Sequence, residues 1–207
     1  MENIVELKTA LQDCWEQIEL VYKQGRMCSE RHMQAEMFHI LRQHTIFETL
    51  PYQLFVEPCT QFQDPPSLTI IPDMLITYES NVIGVMELKY VPHGFPKFEK
   101  DFNSIRRFYQ HQKSALPLYL ETDFQTGQWS KRVFKIAPNP LLICCVIANY
   151  EVHIVSSPEN VRKIWTQLPG SDQTFENCLQ LSGIVSKTKV EFHSTFLSET
   201  PFMGVNQ

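Results

Sequence analysis

The sequence predicts a single α/β (α+β) domain with a central mixed sheet flanked by helices. Two observations carry this. Apolar residues at Ile4, Leu7, Leu11, Trp15, Ile18 and Val21 follow a 3.6-residue period. The chain from Tyr52 to Tyr90 instead contains apolar, β-branched runs punctuated by turn residues. With 207 residues, 43% of them hydrophobic and 20% charged, the chain can bury one ordinary core, which excludes a disordered or fibrous protein.

The first helix is predicted from about residue 3 to 24 and ends at Gly25. Ser29 is the expected N-cap of a second helix running to about His44, with Met33, Met37, Ile40 and Leu41 as its apolar stripe. Strands are expected over Tyr52–Phe62, Leu68–Tyr78 and Val82–Tyr90, the last two joined as a hairpin through Glu79-Ser80-Asn81. Helical spacing resumes at Phe98, Phe102, Ile105 and Tyr109 and runs to about Ala115. Residues 117–132 read as a polar surface loop, and Leu141–Asn149 and Glu151–Ser156 as strands. A short helix is expected from Pro158 through Trp165, a poorly determined polar stretch over 169–182, and a last strand over Ile184–Phe192. The expected division is an N-terminal helix (1–27), a core (28–115), and the remaining strands and helix (116–207).

No apolar run reaches membrane-spanning length, and the acidic N-terminus does not resemble a signal peptide. Six cysteines without CxxC spacing read as buried thiols in a reducing compartment. A cytoplasmic protein with no membrane partner is expected. Seven histidines show no HxH or HExxH spacing, and no phosphate-binding loop, GxGxxG or GxSxG occurs. These absences argue against a zinc hydrolase, a nucleotide-binding domain and an α/β-hydrolase.

The chemistry concentrates on two neighbouring strands. The first contains Pro72-Asp73 and the second Glu87-Leu88-Lys89, with thirteen residues between Asp73 and Glu87. Alternation along a strand turns Glu87 and Lys89 to one face and Met86 and Leu88 to the other. A hairpin brings Asp73 beside Glu87. Carboxylates on such apolar strands are costly unless paired or bound to a cation, and an oxygen-rich pair suits Mg²⁺ or Mn²⁺. A lysine one pleat away can hold or deprotonate a water, or balance charge on a phosphorane. The bland reading is a turn-capping Asp73 and a cross-strand Glu87–Lys89 ion pair.

Pro72-Asp73 followed by Glu87-Leu88-Lys89, after an acid-bearing helix and before a basic one, resembles the signature of the PD-(D/E)xK nuclease superfamily. The resemblance covers roughly residues 28–115. It implies a restriction-endonuclease-like fold and metal-dependent hydrolysis of phosphodiester bonds, with DNA the expected substrate. Asp73 and Glu87 would bind Mg²⁺ (or Mn²⁺), Lys89 would assist the attacking water, and a helix glutamate would complete the metal site. That glutamate is Glu30, on the stripe of Gln34, Met37 and Leu41, or Glu36, beside Met33 and Ile40; Glu30 is preferred. The alternative is a catalytically inactive subunit of the same fold that binds nucleic acid or protein.

Charge placement agrees with a polyanionic partner. The whole chain carries −5, yet residues 97–135 hold eight basic against four acidic residues. Lys100, Arg106, Arg107 and Lys113 are the candidate phosphate contacts, with Arg106 and Lys113 on one helix face. His93 is a lesser candidate for touching substrate. Cutting both strands of a duplex would call for a homodimer.

Overall fold

In a computed structural model of the chain, the structure describes residues 2–62, 68–94, 97–122, 129–149 and 177–197. Their architecture is mixed α/β: four helices and a mixed sheet of nine strands among the described residues. Helix α1 spans Glu2–Lys23 and α2 spans Glu30–Gln43. Leu7, Leu11, Cys14, Trp15 and Ile18 form the buried stripe of α1. Gly25, at φ 68°, takes the left-handed conformation that ends it at little steric cost. Ser29 caps α2 by accepting the His32 N–H. A short helix α3 (Thr45–Thr49) follows, which sequence periodicity does not anticipate.

The sheet opens with β1 (Tyr52–Val56), β2 (Cys59–Phe62), β3 (Leu68–Ile70) and β4 (Met74–Tyr78). The two long strands expected over 52–62 and 68–78 are thus each broken. Glu57 at φ 47° with Pro58 interrupts the first, and Pro72 interrupts the second. As a result, β2 and β3 pair with each other while β1 pairs with β4. Strand β5 (Asn81–Val91) forms the expected antiparallel hairpin with β4, turning at Glu79–Ser80.

Helix α4 covers Glu99–Gln110, shorter than expected. The stretch expected as a surface loop, 117–132, instead contributes to β6 (Ala115–Thr122) and to the start of β7 (Trp129–Ala148), which pair antiparallel. Leu116 and Leu118 point into the core on alternate positions, a short period-2 signal interrupted by Pro117, a residue uncommon inside strands. Strand β7 shifts register against β5 around Pro138-Asn139-Pro140, with Asn139 at φ 51°. Its second half runs parallel to β5 on one side and to β8 (Cys178–Val185) on the other. Strand β9 (Val190–Leu197) returns antiparallel to β8. The region expected to be polar over 169–182 and then a single strand over 184–192 therefore holds a strand pair, β8 and β9, among its described residues. The strand expected over 151–156 and the helix over 158–165 lie outside the described residues.

Each face of the sheet carries its own core. One packs α1 and α2 against Met74, Ile76, Met86, Leu88, Ile143 and Leu181. The other packs Phe102, Ile105 and Phe108 of α4 against Leu75, Val85, Leu142 and Val146. Four of the cysteines are buried and all six are free; Cys28 is exposed, which departs from the all-buried expectation. No helix among the described residues is long and apolar enough to cross a membrane.

Candidate active site

Strand β5 alternates as the sequence predicts. Met86 and Leu88 enter the core under α1 and α2, while Glu87 and Lys89 turn to the face covered by α4. Asp73 sits at the bend immediately before β4 rather than within a strand. Its Oδ2 accepts the Leu88 N–H at 2.6 Å, which fixes the carboxylate beside Glu87. Its backbone carbonyl accepts from Gln34 Nε2 at 2.9 Å and from the Glu57 N–H at 3.0 Å. Three elements therefore hold Asp73 in place.

Glu87 is only 5% exposed, and its Oε1 is buried without a hydrogen-bond donor among the described residues. Burial, followed by the neighbouring charge of Asp73, pushes the Glu87 carboxyl up to about 9. Asp73 is also raised, by burial first, against the opposing pull of the Leu88 N–H. A buried carboxylate and a half-buried one this close resist being charged together without a cation between them. The neutral Glu87 carboxyl, hydrogen-bonded to Asp73, is the metal-free solution.

Lys89 does not supply that cation. Its Nζ lies 3.0 Å from Asp101 Oδ2 and 3.3 Å from Oδ1, and 3.8 Å from Glu30 Oε2. Burial works against the ammonium, but the Asp101 hydrogen bond and charge outweigh it, helped by Glu30 and Asp73, and hold the Lys89 pKa above its ordinary value. The pairing partner of Lys89 is therefore Asp101, on α4 and 8% exposed, rather than Glu87.

Of the two helix glutamates, Glu30 reaches the site. It accepts the Tyr90 N–H at 3.2 Å, and the Tyr90 hydroxyl donates to Met27 O at 3.0 Å. Glu36 lies elsewhere, 3.4 Å from His32 and 3.7 Å from Arg26. It does not line the cleft. Glu30 approaches Lys89 without forming a three-ligand cluster with Asp73 and Glu87: no group of three or more His, Cys, Asp or Glu positioned to share a metal occurs among the described residues. The donor set that fits a divalent ion is the pair Asp73 and Glu87. A carboxyl held protonated, with an orphaned buried oxygen, is what such an ion would relieve, and Mg²⁺ commonly keeps several waters.

These residues form the floor of a cleft of about 930 Å³. Lys97, Lys100, Arg106 and Arg107 line one side. Lys113 does not line it, because α4 ends at Gln110. Lys113 occupies the following turn at φ 66°, with its N–H bonded to Ile136 O at 2.8 Å. The expected Arg106–Lys113 helix face is therefore absent. His93 is exposed in the turn after β5 and is not part of the cleft lining.

Sequence reasoning missed Asp101 and Gln34 as site residues. Both carried a signal. Asp101 and Ser104 share a helical stripe with buried Phe108, and an acid on a buried stripe needs a partner. Gln34 lies one turn from Glu30 on the inward stripe of α2. Comparison of the chain with protein-family models, curated proteins and solved structures gave no match.

Proposed function

We propose that the chain is a metal-dependent nuclease of restriction-endonuclease-like type that hydrolyses phosphodiester bonds, with DNA as substrate. The observation that carries this reading is the pair of buried Glu87 and half-buried Asp73, whose neighbouring cation Lys89 is bound by Asp101, at the floor of a cleft whose rim is cationic. A mixed sheet with an acid-bearing helix before it and a basic helix after the glutamate-lysine strand supports the same reading.

In this reading Asp73 and Glu87 hold Mg²⁺ or Mn²⁺. Such an ion polarises the phosphodiester and acidifies the attacking water. Lys89, kept charged by Asp101 and Glu30, stabilises negative charge developing on the phosphorane; a lysine so firmly paired is a poor proton acceptor. Glu30 acts by holding the end of β5 through the Tyr90 N–H, and Gln34 by fixing the Asp73 backbone. Lys100, Arg106 and Arg107 meet neighbouring phosphates.

The test is cleavage of supercoiled plasmid and labelled oligonucleotides with Mg²⁺, Mn²⁺ or EDTA, using wild type, Asp73→Asn and Lys89→Met. Cation-dependent cutting that both substitutions abolish, in proteins that still melt cooperatively, is the expected result. Nucleic-acid binding with no cutting under any cation would replace this reading with that of a non-cleaving binding subunit.

A further inference from the structure

The charges around the cleft are segregated by wall. From Gln43 to Leu88 the chain contains no lysine or arginine. That stretch builds β1 to β4 and most of β5, and so supplies the wall formed by Thr69, Ile70 and Ile71. The facing wall carries Lys97, Lys100 and Arg107, all exposed, from the approach to α4 and along the helix itself. Lys100 and Arg107 are two turns apart, a track of about 10 Å at 1.5 Å per residue.

A duplex brings two phosphate chains to a cleft that seats it, so a single cationic wall leaves one of them without counter-charge. Among the described lining residues of these two walls, the cations that can neutralise phosphate lie on the α4 side. The other ends in Ile71, which is 55% exposed in the link between β3 and β4, two residues before Asp73. Ile70 beside it packs down onto the core, so the outward Ile71 is the apolar contact the wall offers. A cationic track facing an exposed apolar side chain suits an unpaired strand, whose bases are free to leave water against it.

We propose that the cleft takes a single strand, or a strand frayed from its complement, with its phosphates along α4 and its sugar–base side against Ile71. The proposal rests on the nuclease reading for the position of the scissile bond, but its binding geometry does not. On such a substrate one copy of the chain suffices for the reaction.

Fluorescence anisotropy in EDTA, with a labelled single-stranded DNA oligonucleotide and its blunt duplex, tests this without cleavage. The single strand is expected to bind at least about tenfold tighter, a difference of about 1.4 kcal/mol. Ile71→Ser, an exposed change that leaves the melting temperature in place, is expected to weaken single-strand binding about five- to tenfold with its salt dependence unchanged. Arg107→Gln is expected to reduce the slope of log K against log salt by about 0.7, the value for one phosphate contact on a single strand. Equal or tighter binding of the duplex, no binding of either, or an unchanged affinity in Ile71→Ser would overturn the proposal. Cation-dependent cutting alongside a duplex preference would overturn this inference alone; a single-strand preference without any cutting would retain it and remove the nuclease reading.

Discussion

The two faces of β5 share one backbone and obey opposite rules. On the α1–α2 face, Met86 and Leu88 are stabilised by simple removal from water, and many apolar neighbours of similar size would serve. On the α4 face, Glu87 is buried and Lys89 half-buried, and each charge needs a specific partner. Lys89 has one in Asp101. Glu87 has only another acid, Asp73, and a hydroxyl at Ser104 that favours its charged form. Apolar residues on both faces would be the simpler way to bury this strand. The incompletely compensated acid pair is the difference between the two faces.

The largest effect should come from breaking that pair. Asp73→Asn keeps an acceptor for the Leu88 N–H while removing the charge, and is expected to lower cleavage by about 100- to 1,000-fold with little change in folding; single-turnover assays on the folded variant check it. Asp101→Asn breaks the compensated side instead. It is expected to lower cleavage about tenfold and to cost about 1–2 kcal/mol in denaturant unfolding, because Lys89 keeps only the longer contact to Glu30. Asp101→Glu should recover some of each loss.

A pH series compares the faces through stability. The folded pKa of Glu87 lies near 9, above the ordinary carboxylate value of 4.5, so the native state binds more protons than the unfolded chain in between. Its contribution is complete below about pH 4.5 and lost as pH rises towards 9. Metal-free wild type should therefore melt progressively lower across that window. Glu87→Gln should show a shallower decline, and Mn²⁺ should raise the wild-type melting temperature most at the alkaline end. A smaller contrast separates the two helix glutamates: Glu30→Ala is expected to reduce cleavage severalfold, whereas Glu36→Ala, which disturbs only the exposed contacts to His32 and Arg26, should leave the rate unchanged.

Much of this contrast was legible in the sequence, because strand alternation alone assigns Glu87 and Lys89 to one face and Met86 and Leu88 to the other. The hairpin that brings Asp73 next to Glu87 and the capped helix carrying Glu30 were legible for the same reason, being local. What escaped were contacts closing over long sequence separations. Asp101 looked like one more acid opposing a basic helix, and its role appears only when α4 is laid across β5. The strand β6 was hidden because Pro117 between Leu116 and Leu118 argues against a strand, and its pairing with β7 is a tertiary outcome. Lys113 was misplaced because helical spacing was extended past Gln110, where the backbone turns to bond Ile136.

The most direct measurement is a calorimetric titration of Mn²⁺ into metal-free wild type and into the Asp73→Asn/Glu87→Gln double variant at neutral pH. The account predicts stoichiometric binding with proton release in wild type, as the shared proton of the carboxyl pair is displaced, and no binding in the double variant. Absence of binding in wild type, or binding that survives loss of both carboxylates, would contradict it.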